Sequence, residues 1–309
     1  MTSSLFTLGT RGSPLALVQA NEARRRLAEA RGWEIGKIAL RVIRTSGDAI
    51  QDRPLAEAGG KGLFTKEIDA ALLAGAIDAA VHSAKDLPTL MPEGVVIVGY
   101  LPREDVRDAL ISALADRVED LPREATFGAA SLRRQAQALR LRPDLRPVLL
   151  RGNVETRLRK AESGEVGATL LALAGLKRLG LGDRARAVLD LDTFLPAPGQ
   201  GAIAITARER DARALEALAA ISDSETAAAL TAERAFLGEL EGSCRTPIAG
   251  LARLEGGRLR LRGEVLRTDG SERFAIALEG APADAERLGR DAGRDLKGRL
   301  PEGVLVKGG

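Results

Sequence analysis

The stretch ATFGAASLRRQAQALRLRPDLRPVLLRGNVETRLRKAE, residues 125–162, decides the fold class. Two short apolar runs, ATFGA and RPVLLRG, are each followed by a longer segment in which apolar residues recur with helical spacing. The runs are typical of buried strands and the longer segments of amphipathic helices. Strand, helix, strand and helix in this order predict a parallel sheet with helical crossovers.

The same alternation extends in both directions from this stretch. The last part of the chain differs, because three strand-like runs follow one another across Gly or Asp-Gly turns and one helix closes the chain. Further strand-like runs lie at 5–9, 38–45, 79–83, 95–101, 108–113 and 202–207, and helical segments at 14–30, 62–75, 212–221 and 224–240. The run ATLLALAGLKRLG, residues 168–180, continues the second set, and the final strands and helix lie at 248–256, 258–268, 272–280 and 283–299.

With 309 residues, the chain is too long for one ordinary core. We therefore predict an α/β fold with two α/β domains and a small C-terminal α+β domain. The first α/β domain takes residues 1–101 and 198–220, the second takes 102–197, and the α+β domain takes 221–309.

Composition excludes several classes of protein. Hydrophobic residues make up 45% and charged residues 29%, as in a folded globular chain. No run of about 18 apolar residues occurs, and the first residues lack the pattern of a secretory signal, so we expect a cytoplasmic protein without a membrane segment. One cysteine and one histidine allow no internal disulfide and make a metal site unexpected.

The net charge is only +3, so any preference for anions depends on where the arginines lie. Aromatic residues make up 3% of the chain, too few for the stacking platforms of single-strand nucleic-acid binders. We therefore expect no nucleic-acid partner.

Three strand-like runs are each followed by a residue suited to cap a helix. The caps are Ser13, which precedes Pro14, then Ser131 and Asn153. Free backbone N–H groups, the positive end of a helix and a guanidinium together suit a carboxylate or a phosphate. In doubly wound sheets such helix starts lie at the carboxyl edge of the strands, where ligands bind. The arginines beside these caps are Arg11, Arg133, Arg134, Arg151 and Arg157.

Two interpretations of these arginines stay open. Each one alone is equally well explained as a solvated charge at a helix end. Their repetition in one arrangement favours convergence on a single anionic ligand. The sequence GGKG adds Lys61 on a glycine loop, but Gly62 follows the lysine where a nucleotide-binding P-loop needs Ser or Thr.

Three further residues also allow two interpretations. Asp86 lies two residues before Pro88, where aspartate commonly serves a turn, so local sequence favours the turn over a catalytic role. His82, within an apolar strand, is expected to be a hydrogen-bonded core residue. Cys244 is either an inert buried thiol or a reactive one, and its position beside Arg245 favours the reactive thiol.

Taken together, these motifs resemble the porphobilinogen deaminase family, also called hydroxymethylbilane synthases. Nine motifs occur in the family's order between Gly9 and Gly250. One alone is weak evidence, but nine in order are specific. They are GTRGSPLAL, TSGD, GGKGLFTKEID, AVHSAKDLPT, SLRRQ, RGNVETRL, LALAGLKRLG, PAPGQGA and AERAFLGELEGSCRTPIAG.

The resemblance implies two doubly wound domains like those of periplasmic binding proteins, plus the small α+β domain. It also implies a dipyrromethane cofactor, built from the enzyme's own substrate and bound through a thioether to Cys244. Porphobilinogen carries an acetate and a propionate, so a growing pyrrole chain needs cations along its path. The residues implied to bind these carboxylates are Arg11, Ser13, Lys61, Lys85, Ser131, Arg133, Arg134, Arg151, Arg157, Arg178 and Gln200.

The resemblance further implies the reaction and its carboxylate. Four porphobilinogen molecules are condensed head to tail with release of ammonia, and hydrolysis then releases hydroxymethylbilane for tetrapyrrole biosynthesis. Asp86 matches the catalytic carboxylate that stabilises the cationic azafulvene left by deamination and moves protons. The family implies a monomer. Glu57, Ala129 and Ala130 depart from residues common at their positions in the family.

Two rival functions follow from the same features. A non-catalytic anion-binding module is one, but it has no use for a modified Cys244 and is expected with a secretory signal. An RNA-binding protein using SLRRQAQALRLRPDLRP is the other, and the low aromatic content and near-neutral charge oppose it. The mass of the intact protein separates both rivals from the enzyme.

Overall fold

The computed structural model describes residues 5–49, 62–240 and 246–305. The chain divides into two compact units. The first unit contains the described parts of Met1–Gln51, Ala58–Glu104 and Gly201–Ala227, and the second contains those of Asp105–Gln200 and Ala228–Gly309. Within the described residues, no helix is long and apolar enough to cross a membrane.

The helices and strands follow the predicted order. The strands are β1 Phe6–Thr10, β2 Ile38–Val42, β3 Ala79–Ser83, β4 Val95–Tyr100, β5 Asp108–Ser112, β6 Thr126–Gly128, β7 Arg146–Val148, β8 Ala168–Ala172, β9 Ala187–Val188, β10 Ile203–Arg208, β11 Ile248–Glu255, β12 Arg258–Leu266 and β13 Arg273–Gly280. The α-helices are α1 Pro14–Arg31, α2 Ser46–Ala49, α3 Lys66–Leu73, α4 Leu132–Leu141, α5 Val154–Glu162, α6 Leu173–Arg178, α7 Ala212–Ala219, α8 Ser224–Glu239 and α9 Ala285–Arg299.

Each unit contains one five-stranded sheet. The order is β2-β1-β3-β10-β4 in the first unit and β7-β6-β8-β5-β9 in the second. In the first sheet, β1 runs parallel to β2 and to β3, and in the second, β6 runs parallel to β7 and to β8. Helices connect these parallel strands, so the doubly wound α/β prediction is confirmed.

Each five-stranded sheet is mixed, because it also contains an antiparallel strand that the alternation of strands and helices did not predict. β10 is antiparallel to both of its neighbours, and so is β5. Each of these strands is the first that the chain adds after it passes from one sheet to the other. A parallel neighbour requires a helical crossover within one sheet, and neither β5 nor β10 follows one.

The last part of the second unit is the predicted α+β element. β11, β12 and β13 form an antiparallel sheet that packs with α8 and α9 around a core of its own. Gly263 of β12 allows the ring of Phe236 to pack on the sheet, since a Cβ at Gly263 would lie 2.3 Å from that ring. The fold class is thus as expected, while β9 and α2 were not predicted and the exact domain boundaries stay predictions.

All three predicted helix caps are present. The side chain of Ser13 accepts a hydrogen bond from the backbone of Ala16 at the start of α1. Ser131 caps α4 and Asn153 caps α5 in the same way. Pro14 occupies the first turn of α1, where its missing N–H is not needed. Each cap follows a strand, so these helix starts lie at the carboxyl ends of the strands.

Candidate active site

Four predicted site residues lie at one edge of the first unit's sheet. Because β1 and β3 are parallel neighbours, their carboxyl ends meet at the same edge. Arg11 and Ser13 follow β1, while Lys85 and Asp86 lie in a 3-10 helix, Ala84–Asp86, that follows β3. The structure therefore brings a cation and a carboxylate together at this edge.

Asp86 is oriented toward Arg11. Nη1 of Arg11 lies 3.7 Å from Oδ2 of Asp86, and the two side chains are 22% and 31% exposed. The Arg11 guanidinium also stacks on the Phe64 ring, 4.2 Å from its centroid, which restricts its orientation. Within the described residues, Asp86 accepts no hydrogen bond. A turn aspartate normally accepts one from its own backbone two residues on, where Pro88 has no N–H to give.

His82 lies beside this pair as a core residue, as predicted. It is buried in β3, and its Nε2 lies 3.2 Å from Oγ1 of Thr206. Burial and then the nearby charge of Arg11 lower the pKa of His82 to about 4. The ring is therefore neutral at physiological pH and does not compete with Arg11 for Asp86.

The second unit gathers its predicted site residues at the corresponding edge. β6, β7 and β8 are parallel, and the residues that follow them include Ser131, Arg151 and Arg178 respectively. The antiparallel β5 enters at this same edge, since its first residue, Asp108, pairs with Ala172 at the end of β8. An acidic residue thus lies at the edge that carries the arginines.

Arg133 and Arg134 are buried in the first turn of α4 and both bind Asp108. Nη2 of Arg133 donates to Oδ2 at 2.8 Å, while Nη2 and Nε of Arg134 donate to Oδ1 at 2.6 and 3.2 Å. A further donor of Arg133, Nη1, binds the carbonyl of Leu195 at 2.9 Å. The sequence predicted these arginines but not their carboxylate.

The charges of this cluster do not balance. Asp108 is fully buried, and burial alone would raise its pKa, but the two guanidinium groups outweigh burial and hold the pKa well below its usual range. Asp108 faces two guanidinium cations, and the other carboxylate that acts on Arg133, Glu264, is paired with Arg273, so one positive charge is left. Among the described residues, the buried Nε of Arg133 has no hydrogen-bond partner, which is the kind of donor that a ligand carboxylate satisfies.

Gln200 is also buried in this cluster. Its amide nitrogen donates to Oδ1 of Asp108 at 3.0 Å and to the carbonyl of Val106 at 2.8 Å. The predicted contact of Gln200 with a ligand is untested, and its amide N–H groups already bind protein oxygens. Gln200 thus reaches the arginines through Asp108.

The remaining predicted arginines are partly buried around the same edge. Arg151 follows β7, Arg157 lies in the first turn of α5 with its Nε 3.4 Å from the carbonyl of Asn153, and Arg178 ends α6. Lys61 and Cys244, which were predicted as a substrate contact and as the cofactor attachment, lie outside the described residues.

One further buried carboxylate was missed from the sequence. Glu233 of α8 is fully buried and accepts hydrogen bonds from the backbone N–H groups of Gly199, at 2.6 Å, and Ala252, at 2.7 Å. A glutamate within the apolar helix TAAALTAERAFL was the available signal. It joins α8 to β11 and to the loop that carries Gln200. Within residues 5–49, 62–240 and 246–305, no group of His, Cys, Asp or Glu is suited to hold a metal ion.

Two family models match this chain. The model described as "Porphobilinogen deaminase, dipyromethane cofactor binding domain" matches residues 6–216. The model described as "Porphobilinogen deaminase, C-terminal domain" matches residues 227–298. Together they cover both five-stranded sheets and the α+β element.

Curated relatives are similar over nearly the whole chain. A porphobilinogen deaminase of Nitrobacter hamburgensis is 59% identical over 301 residues, which are 97% of this chain and 95% of the relative. That of Paracoccus denitrificans is 56% identical over 294 residues, 95% and 94% of the two chains. A solved methionine-binding protein has a TM-score of 0.45 at 14% identity, with 69% of this chain and 88% of that chain covered.

Proposed function

Because the chain belongs to the porphobilinogen deaminase family, we propose that it condenses four porphobilinogen molecules head to tail and releases hydroxymethylbilane by hydrolysis. This places the protein in tetrapyrrole and porphyrin biosynthesis. The family match carries the proposal, and the position of Asp86 beside Arg11 supports it from the structure.

The residues present fit a dipyrromethane cofactor. Such a group carries acetate and propionate side chains. The start of α4 offers an excess positive charge and the buried Nε of Arg133, which no described residue accepts from. We assign the covalent attachment to Cys244, the only thiol in the chain. When bound, the cofactor supplies the pyrrole carbon to which the first substrate is joined.

The protein's cations bind the substrate carboxylates in this proposal. Arg11 and Lys85 serve in the first unit, and Arg133, Arg134, Arg151, Arg157 and Arg178 in the second, with Lys61 on its glycine loop. Charge-assisted bonds to guanidinium groups are strong and directional, so they orient each pyrrole ring as well as bind it. The hydroxyls of Ser13 and Ser131 remain able to donate to a ligand while their oxygens cap helices.

Asp86 is the proposed catalytic carboxylate. Loss of ammonia from the aminomethyl group of porphobilinogen leaves a cationic azafulvene, whose charge an adjacent carboxylate stabilises. Since the Asp86 oxygens accept no hydrogen bond from the described residues, they are available to a pyrrole N–H and to protons moved during the cycle. Arg11 holds the carboxylate at the sheet edge.

We also propose the enzyme's reaction class, oligomeric state, location and lack of a nucleic-acid partner. The enzyme is a transferase that acts as a monomer in the cytoplasm and binds no nucleic acid. The net charge of +3 and the 3% aromatic content support the last expectation. Light scattering on the purified protein measures the oligomeric state.

The mass of the intact purified protein tests the function. An enzyme carrying its cofactor exceeds the chain mass by two pyrrole units and consumes porphobilinogen with release of ammonia. An anion-binding module or an RNA-binding protein has the unmodified chain mass and leaves porphobilinogen unchanged. An unmodified mass together with absent turnover rejects the proposal.

A further inference from the structure

The buried cluster at the start of α4 contains a carboxylate that the proposed reaction does not use. Asp108 accepts hydrogen bonds from Arg133, Arg134 and Gln200, and no part of it is exposed. The arginine side chains are 5% and 7% exposed. A carboxylate so placed cannot bind an anionic ligand, and its function must be exerted on the two guanidinium groups.

Two adjacent guanidinium groups without a counterion are unfavourable in a buried site, because each loses hydration and each repels the other. Asp108 removes most of this repulsion by accepting from both groups. It also fixes their planes, since Arg134 binds it through two nitrogens of one fork. The carbonyl of Leu195 accepts a hydrogen bond from Nη1 of Arg133 and so restricts this side chain further.

The arginine N–H donors that do not bind Asp108 determine which ligand the cluster can bind. Within the described residues, Nε of Arg133 has no partner, and Nη1 of Arg134 makes no hydrogen bond. One uncompensated positive charge goes with these two donors. The combination suits one carboxylate, whereas two uncompensated charges would suit a dianion.

We propose that Asp108 is a positioning residue of the substrate and cofactor site: it holds Arg133 and Arg134 in a fixed orientation and neutralises one of their two charges, so that the start of α4 receives a single carboxylate. This inference rests on the proposed function, because the carboxylate it receives is that of a pyrrole ring. Gln200 supports Asp108 by donating to it from the PAPGQGA loop.

The first test uses cofactor-free protein, expressed in cells that make no porphobilinogen, and sulfate as the probe. Asp108→Asn removes the counterion but keeps the shape of the side chain. Its Tm should rise with sodium sulfate by about 2 °C or more beyond the rise of the wild type, because a more positive cluster binds a dianion better. Sodium chloride at equal ionic strength gives the baseline.

Asp144→Asn is the matched control. Asp144 also binds an arginine of the α4 region through two oxygens, but this partner, Arg142, lies at the opposite end of the helix. Asp144→Asn should lose some stability and respond to sulfate like the wild type. An equal sulfate response in Asp108→Asn and Asp144→Asn overturns the charge-balancing role.

The second test measures how fast the cofactor-free protein takes up the cofactor from preformed hydroxymethylbilane, followed by intact mass. Asp108→Asn should react at least about 10-fold more slowly than the wild type, in line with the loss of an oriented charge-assisted bond. Asp144→Asn should react at the wild-type rate. A wild-type rate in Asp108→Asn overturns the positioning role.

If Asp108→Asn does not fold, the double variant Asp108→Asn/Arg134→Gln decides. It again has one net positive charge and should fold, and it should take up the cofactor more slowly than Arg134→Gln alone, because Arg133 has lost its anchor. Equal rates contradict positioning, and a double variant that still fails to fold contradicts charge balance. A wild-type protein without uptake or turnover instead rejects the proposed function, whatever the variants do.

Discussion

Nη1 of Arg11 lies 3.7 Å from Oδ2 of Asp86, at the ends of two neighbouring parallel strands. This separation is an ion pair but exceeds a direct hydrogen bond. Arg11 therefore attracts the carboxylate without occupying its lone pairs, and stacking on the Phe64 ring restricts the guanidinium. In the proposed reaction, this pair presents its anion to a pyrrole N–H.

Asp86→Asn should lower turnover of porphobilinogen by at least about 100-fold, since the charge that stabilises the azafulvene is lost while the shape is kept. The melting temperature should change little, because the half-buried pair with Arg11 is separated by 3.7 Å and contributes little to stability. Porphobilinogen consumption by cofactor-loaded protein, measured beside a melting curve, checks both. Asp295→Asn, which breaks the exposed pair with Arg299, is the control. Near-normal turnover of Asp86→Asn would contradict the catalytic role and favour the interpretation of Asp86 as a turn residue.

Arg133→Leu and Arg151→Leu should both slow cofactor assembly or chain elongation about 10- to 100-fold, because each loses a charge-assisted carboxylate bond of about 1.5–3 kcal/mol. Only Arg133→Leu should also lower Tm clearly, since it leaves the buried Asp108 with one cation. Arg25→Leu, which removes an exposed pair with Glu29, is the control for both. Equal damage by Arg25→Leu contradicts the grouping of arginines by helix start.

Cys244→Ser should abolish the normal thioether and most of the activity. The denatured variant should give no colour with Ehrlich's reagent, and its mass should be that of the chain. Since a ligand that binds only the native state stabilises it, the cofactor-free wild type should also melt below the loaded protein. Colour and turnover at the wild-type level in Cys244→Ser refute the attachment, and equal melting temperatures refute a stabilising cofactor.

Sequence predicted the residues at the edges of the sheets better than it predicted their partners. The caps Ser13, Ser131 and Asn153 were predictable because capping depends on neighbours within one helical turn. The partnership of Asp108 with Arg133 was not, because it requires knowing that β5 is antiparallel and enters beside β8.

Local pattern was weakest where a polar residue serves a contact distant in sequence. Asp108 begins an apolar strand and Glu233 lies in an apolar helix. The sequence around each residue indicated only that a buried charge needs partners, and not which partners. Arg133 lies 25 residues from Asp108 along the chain, and Gly199 lies 34 residues from Glu233. For Asp86 the family motif, rather than local spacing, suggested the role that the contact with Arg11 now supports.

The burial of His82 as a neutral ring predicts how the stability of the protein depends on pH. Its pKa is about 4 in the folded protein against 6.5 when unperturbed, so the unfolded chain binds more protons between these values. The stabilisation from keeping the ring neutral is complete above about pH 6.5 and is lost as the pH falls toward 4, by about 3 kcal/mol in all. Urea unfolding of wild type and His82→Gln from pH 7 to 4.5 measures it. The wild type should lose more stability than the variant, and parallel curves contradict the burial of a neutral ring. Asp108 acts at lower pH, because its folded pKa lies below its usual range.

Glu233 joins three segments that sequence separates. Its carboxylate accepts from Gly199 in the loop that carries Gln200 and from Ala252 of β11, and it lies on α8, the helix that leads to Cys244. A carboxylate can accept from both N–H groups at once. An amide cannot, because its –NH2 group would face one of the two donors.

Glu233→Gln should therefore lower the free energy of unfolding by about 1–3 kcal/mol, the usual result of leaving a buried donor unsatisfied. Glu225→Gln, an exposed change on the same helix, should alter it by less than about 0.5 kcal/mol. Urea unfolding of the two variants in cofactor-free form gives the comparison. The loop that Glu233 binds also carries Gln200, which donates to Asp108. Cofactor uptake by Glu233→Gln should therefore also slow, and that of Glu225→Gln should not. Slower uptake with unchanged stability would mean that Glu233 acts on the cofactor site by another route than these two hydrogen bonds.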